Sequence, residues 1–203
     1  FPGISYRHLM LAKDGTKDSL DKITCMAPHD ILGKSISANL PKGKNSQALI
    51  QLMNQSREIL ANHEINSVRV DLKENPANMI WLWGQGKKPT FPSFKEKYGL
   101  SGSVISAVDL IKGMGKLIGL EVLNIPGATG YYDTNYKGKG EYAIEALKRK
   151  DFVFVHVEAP DEAGHNGEIR HKIEAIENLD KHIVGPVWKA LEKMGEYRIM
   201  VLP

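Results

Sequence analysis

The residues best suited to chemistry in this chain are Asp161, Glu162 and His165, inside the run DFVFVHVEAPDEAGHNGEIRH from Asp151 to His171. A carboxylate oxygen and an imidazole nitrogen four residues apart converge on one divalent ion if the backbone between them curls like a helical turn. Asp161 and His165 have that spacing. The pair suits zinc or manganese, and suits calcium or magnesium alone less well. Two donors do not complete a site, so further ligands must come from elsewhere. The plain alternative is a solvated polar loop that caps the helix after it, and spacing by itself does not separate the two.

Around this pair stand three more candidates. His156 and Glu158 are one pleat apart and share a face of a strand. His156 reads first as a core imidazole with its hydrogen bonds met, whereas Glu158, nearer the strand end, is placed to orient His165 from behind. His171 falls on the next helix and reads as exposed rather than liganding.

The elements that must position these residues follow from the pattern. Phe152 to Val157 is β-branched and aromatic almost throughout, as a buried strand requires. Pro160 stops the pairing, Gly164 and Gly167 loosen the backbone, and a helical pattern resumes at Ile169. A strand end, a ligand-bearing loop and a helix form the arrangement in which open α/β sheets place their chemistry. Upstream, strands at Ser103–Ala107 and Glu121–Ile125 alternate with helices at Val108–Ile118 and Glu141–Lys148. Downstream, a helix over Ile169–Met194, kinked at Pro186, leads to a strand at Tyr197–Leu202. This alternation predicts a parallel sheet with helices on both faces.

The loop Pro126–Gly140 joins a strand to its helix at the sheet edge that carries Asp161. Its length and position favour a functional loop, with Asp133 among its polar residues. Lys139 is expected to meet a phosphate at the helix N-terminus, where free N–H groups and the dipole also favour anions. Gly127-Ala128-Thr129-Gly130 lacks dinucleotide spacing.

The first part of the chain is less regular. It is loop-rich to Lys44, with a strand expected at Tyr6–Ala12, where the Arg7 guanidinium fork matches phosphate or carboxylate oxygens. His29-Asp30 reads as a turn or helix cap. A helix capped by Ser46 runs to Ala61 with Met53 in its core stripe. Strands are expected at Val68–Leu72, with Asn66 and Arg69 at its start, and at Met79–Trp83. The latter ends in Gly84-Gln85-Gly86, a place for close backbone approach to a ligand but not a Walker loop. A short helix at Ser93–Tyr98 precedes a boundary at Gly99–Gly102.

Composition bounds the function. Hydrophobic residues at 42% and charged residues at 25% are those of a soluble globular protein. A net charge of +3, without an aromatic-interleaved basic patch, argues against nucleic acid and suits a small anionic substrate. No apolar run is long enough to span a bilayer, so no membrane partner is expected. One cysteine, Cys25, forbids an internal disulfide and fits the reducing cytoplasm. The oligomeric state is left open.

The run HVEAPDEAGH resembles the signature of the archaeal-type, bisphosphoglycerate-independent phosphoglycerate mutases, metalloenzymes of the alkaline phosphatase superfamily. GISYRHL, PHDILG, IWLWGQG, SAVDLIKGMG and IPGATGYYDTNYKGK follow the same family in order, over essentially the whole chain. The resemblance implies that Asp161 and His165 ligate one of two divalent metals, manganese or zinc. It implies that Asn66 and Arg69 face a phosphoglycerate substrate, beside the candidate contacts Arg7, Asp133 and Lys139. About 1–100 then form an inserted α/β substrate-binding domain, and about 101–203 the second half of an incomplete, alkaline-phosphatase-like metal domain. The family's nucleophilic Ser and first metal-binding Asp are expected before Phe1, and an Asp-His ligand pair after Pro203. This chain is therefore read as an internal fragment, with no catalytic nucleophile and no activity by itself. The implied reaction interconverts 3-phosphoglycerate and 2-phosphoglycerate through a metal-activated serine. A metal-dependent phosphatase or phosphonate hydrolase, or a non-catalytic anion-binding fragment, remain as alternatives. A sugar or homoserine kinase would need a phosphate loop, and none is found.

Overall fold

Strand β1, Gly102–Ile105, is the centre of a three-stranded parallel sheet, flanked by β2, Glu121–Leu123, and β3, Phe152–Val155. All four residues of β1 are buried, as in a sheet covered on both faces. Helix α5, Asp109–Leu117, lies on the Val104 side, so close that a Cβ on Gly115 would come 2.4 Å from Val104 Cγ1. Ile105 packs instead with Ala143 of α6, Tyr136–Leu147. Neighbouring strand residues point to opposite faces, so these two helices cover the two sides, as the alternation predicted.

The computed structural model describes residues 1–3, 8–12 and 20–203. The chain divides into two units, Leu11–Pro89 and Thr90–Pro203 with Phe1–Met10. The division falls at Thr90 rather than at Gly99–Gly102, because α4, Phe94–Tyr98, belongs with the sheet. The Phe94 amide donates to the Ile118 carbonyl at 2.7 Å, and its ring stacks on Phe152 with centroids 4.9 Å apart. Ser93 and Glu96 close a capping box at the start of α4.

After β3 come α7, Ala159–His165, and α8, Ile169–Leu179; a π-helical turn, Asp180–Val184, then leads into α9, Gly185–Leu191. The π turn takes the place of the kink expected at Pro186. Proline has no N–H to return to the fourth residue back. The Gly185 amide just before it reaches Asp180, one residue further back than an α-helix allows. Helix α6 begins at Tyr136, earlier than the predicted Glu141. The Asn135 side chain caps it by accepting from the Gly138 amide at 2.8 Å. Gly138 and Gly140, read as loop residues, serve packing: a Cβ on Gly140 would lie 2.1 Å from the His182 carbonyl oxygen. The strand expected at Tyr197–Leu202 does not form, and Met200, Val201 and Leu202 are exposed.

In the other unit α1, Ile36–Asn39, precedes α2, Ser46–Ala61, which ends where expected and buries Met53; its N-cap is Asn45, not Ser46, which is the first helical residue. The strand expected at Val68–Leu72 is corrected to α3, Glu64–Asp71, whose N-cap His63 accepts from the Ile65 amide. The alternation Val68, Val70, Leu72 looks like a strand, but all three side chains are exposed and have no sheet to pair with. Met79–Trp83 forms no strand either. The Ile80 amide donates to Ser56 Oγ at 3.0 Å and the Trp81 indole to the Met26 carbonyl at 2.8 Å, which ties the segment to helix and loop. The regular pairing in this unit, among the described residues, is one isolated antiparallel bridge between Thr24 and Lys42. The strand expected at Tyr6–Ala12 starts outside the described residues, and His8–Ala12 form none.

Candidate metal centre

Helix α7 leaves the C-terminal end of β3 and turns the predicted ligand loop into a helix. Pro160 sits in its first turn, where a missing N–H costs nothing. Ala159 and Ala163, one turn apart, are buried, and Ala159 joins a core cluster with Tyr136, Ala175 and Ile183. Asp161 and His165, also one turn apart, leave the helix toward solvent with side chains 67% and 75% exposed. His165 Nε2 lies 3.3 Å from Asp161 Oδ2. A carboxylate oxygen and an imidazole nitrogen, convergent and open to solvent, fit two corners of a divalent-metal site. Among the described residues no cluster of three or more His, Cys, Asp or Glu side chains gathers to complete it.

A partly buried polar pair lies where β1 and β3 end. His156 Nδ1 is 3.2 Å from Ser106 Oγ, which also accepts from the Val108 amide at 3.0 Å. Burial holds this imidazole below its ordinary pKa while the Glu158 charge pulls the other way, so His156 has the environment of a core histidine. Glu158 is the N-cap residue of α7, and a Cβ on Gly130 would come 2.6 Å from its Oε2. Among the described residues no hydrogen bond joins Glu158 to His165.

Lys139 stands in the first turn of a helix, as expected, but its side chain turns into the protein. It lies inside α6, is 0% exposed, and donates from Nζ to the His156 carbonyl at 3.2 Å. Burial pushes its pKa down to about 8, against an opposing pull from Glu158.

The loop between β2 and α6 is braced by its own side chains. Asp133 Oδ1 accepts from Thr129 Oγ1 at 2.7 Å, and the Thr129 amide donates to Thr134 Oγ1 at 3.0 Å. Tyr132 carries the loop to the end of α7: its hydroxyl accepts from Asn166 Nδ2 at 2.9 Å, and its ring stacks on His171 with centroids 4.6 Å apart. His171 is half-exposed and bonded to Glu168. The contact between Tyr132 and Asn166 was not found from sequence. The only signal for it was the tyrosine pair Tyr131-Tyr132 in an otherwise polar loop.

In the other unit Asn66 is buried. It donates to the Leu60 and Ala77 carbonyls at 2.7 and 2.6 Å and accepts from the Ala77 amide at 2.9 Å. Those bonds brace the chain that follows α3. Arg69 is half-exposed, with Nε 2.7 Å from the Asn75 carbonyl and a guanidinium nitrogen 3.8 Å from Glu74. A groove of about 410 Å³ lies beside Asn66. Its one charged lining residue is Asp71, so its charge does not suit an anion. Arg7 lies outside the described residues. His29 and Asp30 lie in a 3-10 turn, Pro28–Ile31, with no side-chain cap, so the turn reading holds and the cap reading does not; His29 packs edge-on to Trp83 with ring centroids 5.3 Å apart.

With this geometry in place, comparison with known proteins is informative. Residues 5–202 match the Metalloenzyme superfamily. A probable 2,3-bisphosphoglycerate-independent phosphoglycerate mutase of Geobacter sulfurreducens is 51% identical over 203 residues, which are 100% of this chain and 50% of the relative. The 2,3-bisphosphoglycerate-independent phosphoglycerate mutase of Methanosarcina acetivorans is 52% identical over 204 residues, 100% of this chain and 51% of the relative. Among solved structures, the PH0037 protein of Pyrococcus horikoshii superposes with a TM-score of 0.63 at 33% identity, covering 72% of this chain and 39% of that one. The cofactor-independent phosphoglycerate mutase of Thermoplasma acidophilum gives 0.50 at 24% identity over 89% of this chain and 45% of that one, a likeness of fold. The chain thus spans about half the length of the curated relatives it matches.

Proposed function

The chain belongs to the metalloenzyme superfamily, which implies dependence on divalent metal, and from that premise we propose that it supplies one metal-ligand pair of a bisphosphoglycerate-independent phosphoglycerate mutase. The observation that carries this reading is the convergence of Asp161 and His165 at 3.3 Å on the solvent side of α7. The names and identities of the relatives supply the reaction class. The substrate is a phosphoglycerate, phosphorylated on one hydroxyl before turnover and on the neighbouring one after it.

The part of each residue follows from its position. Asp161 and His165 hold one of two divalent ions, manganese or zinc. Such ions polarise phosphoryl oxygens and lower the pKa of a bound hydroxyl. Tyr132 fixes the C-terminal end of the ligand helix through Asn166. Arg69, with its guanidinium half-exposed, binds a substrate phosphate or carboxylate, as does Arg7. Asp133 accepts from a glycerate hydroxyl once Thr129 releases it. Asn66 and Lys139 each serve through the backbone they brace.

The seryl nucleophile lies outside this chain. Ser103 is buried within β1, Ser106 is buried just past its end, and Ser93 caps α4. On this reading the 203-residue chain alone does not turn over substrate. No helix among the described residues is long and apolar enough to cross a membrane, and a cytoplasmic location fits a glycolytic substrate.

The test is a coupled assay on the full-length protein with 3-phosphoglycerate. Formation of 2-phosphoglycerate without free phosphate supports the mutase reading. Free phosphate without 2-phosphoglycerate would move the reading to a phosphatase of the same superfamily. Absence of both would leave anion binding alone.

A further inference from the structure

Lys139 is a side chain the proposed reaction does not explain. Lysine is almost never fully buried without a paired charge. Here it is fully enclosed, and among the described residues no carboxylate stands within ion-pair distance of it. An ammonium has three donors to satisfy, and its one recorded bond goes to a backbone oxygen, that of His156.

That oxygen has a particular place. His156 is the first residue after β3, its own amide donates to the Ile105 carbonyl at 2.8 Å, and two residues later Glu158 opens α7. The ammonium therefore sits under the turn that launches the ligand helix. It is also held there tightly. A Cβ on Gly138 would lie 2.5 Å from Asn135 Nδ2, and one on Gly140 would lie 2.1 Å from the His182 carbonyl. Helix α6 is thus packed close at the glycines that flank Lys139, against Ile125 on one side and the His182 carbonyl on the other. A methionine would fill the same space without the cost of burying a charge, so packing alone does not account for a lysine.

We propose that Lys139 is a positioning residue for the ligand helix: from α6 it grips the end of β3 through the His156 carbonyl and draws on the Glu158 charge at the N-cap of α7, setting the angle at which Asp161 and His165 leave the sheet. This rests on the reading that those two residues ligate metal. With a pKa of about 8 the ammonium is still charged at neutral pH, where the attraction to Glu158 operates.

The test compares Lys139→Met and Glu158→Gln with wild type in the full-length protein, by hydrogen exchange of the α7 amides and by calorimetric titration with manganese. The metal-free exchange measurement depends on the helix alone, so the two readings can fail separately. In both variants α7 should exchange about tenfold faster relative to α5, and manganese affinity should fall roughly tenfold to a hundredfold. Unchanged α7 protection in both variants would overturn the proposal, as would faster exchange with unchanged manganese affinity. Faster α7 exchange in a protein that binds no manganese even as wild type would uphold the grip on α7 and remove the metal reading instead. Should Lys139→Met not fold, Glu158→Gln, at the half-buried N-cap, carries the same comparison.

Discussion

His165 Nε2 stands 3.3 Å from Asp161 Oδ2 across one turn of α7, while Ala159 and Ala163 on the same helix are sealed in the core. One short helix thus has an anchoring face and a ligand face. Small Ala159 lets the helix settle against Tyr136, Ala175 and Ile183, and that contact fixes where the two polar side chains emerge.

The division of labour predicts that Asp161→Asn leaves the fold intact. An exposed pair of this kind contributes about 1 kcal/mol or less to stability. Chemical denaturation should show a change within that margin, and a loss of several kcal/mol would mean that Asp161 has a structural role.

A second prediction concerns pH. The Lys139 pKa is lowered from 10.5 in an unfolded chain to about 8 in the folded one, so the unfolded chain holds more protons between those values. Stability then rises with pH across that window, and the penalty is fully present below pH 8. The shift corresponds to roughly 3 kcal/mol. Lys139→Met should therefore be at least as stable as wild type at pH 7, and should lose much of the rise between pH 8 and 10. Denaturation curves at pH 7, 8, 9 and 10 check both statements.

A third prediction tests the close approach of α6 to the π turn. Gly140→Ala puts a methyl 2.1 Å from a backbone oxygen, His182 O, which cannot swing aside as a side-chain tip can. A cost of about 1–3 kcal/mol is expected, as for overpacking elsewhere. Exposed Gly113, with nothing near its Cβ position, is the control and should tolerate alanine. Equal stability of both variants would show that α6 does not depend on this contact.

The sequence was legible where one physical signal acted alone. β1 is buried throughout and β3 is a run of aromatic and β-branched residues, so both could be read, and Asp161 with His165 could be found by spacing. Reading failed where two signals competed. Gly138 and Gly140 looked like loop because glycine serves both turns and tight helix packing. Val68, Val70 and Leu72 looked like a strand because β-branched valines and apolar alternation are properties of the sequence, whereas pairing needs a neighbour. Lys139 was expected to meet a phosphate at the helix N-terminus, and its burial depends on the distant β3–α7 turn. The bonds that fill Asn66 run to Leu60 and Ala77, and nothing local to Asn66 announces them.

The central claim is that Asp161 and His165 hold a divalent metal. The most direct measurement is the metal content of the full-length protein, purified in parallel as wild type and as His165→Ala and analysed for manganese and zinc. The variant, with a helix whose buried face is untouched, should lose bound metal while keeping the wild-type circular dichroism spectrum. Metal content equal to wild type in a folded His165→Ala protein would contradict the account.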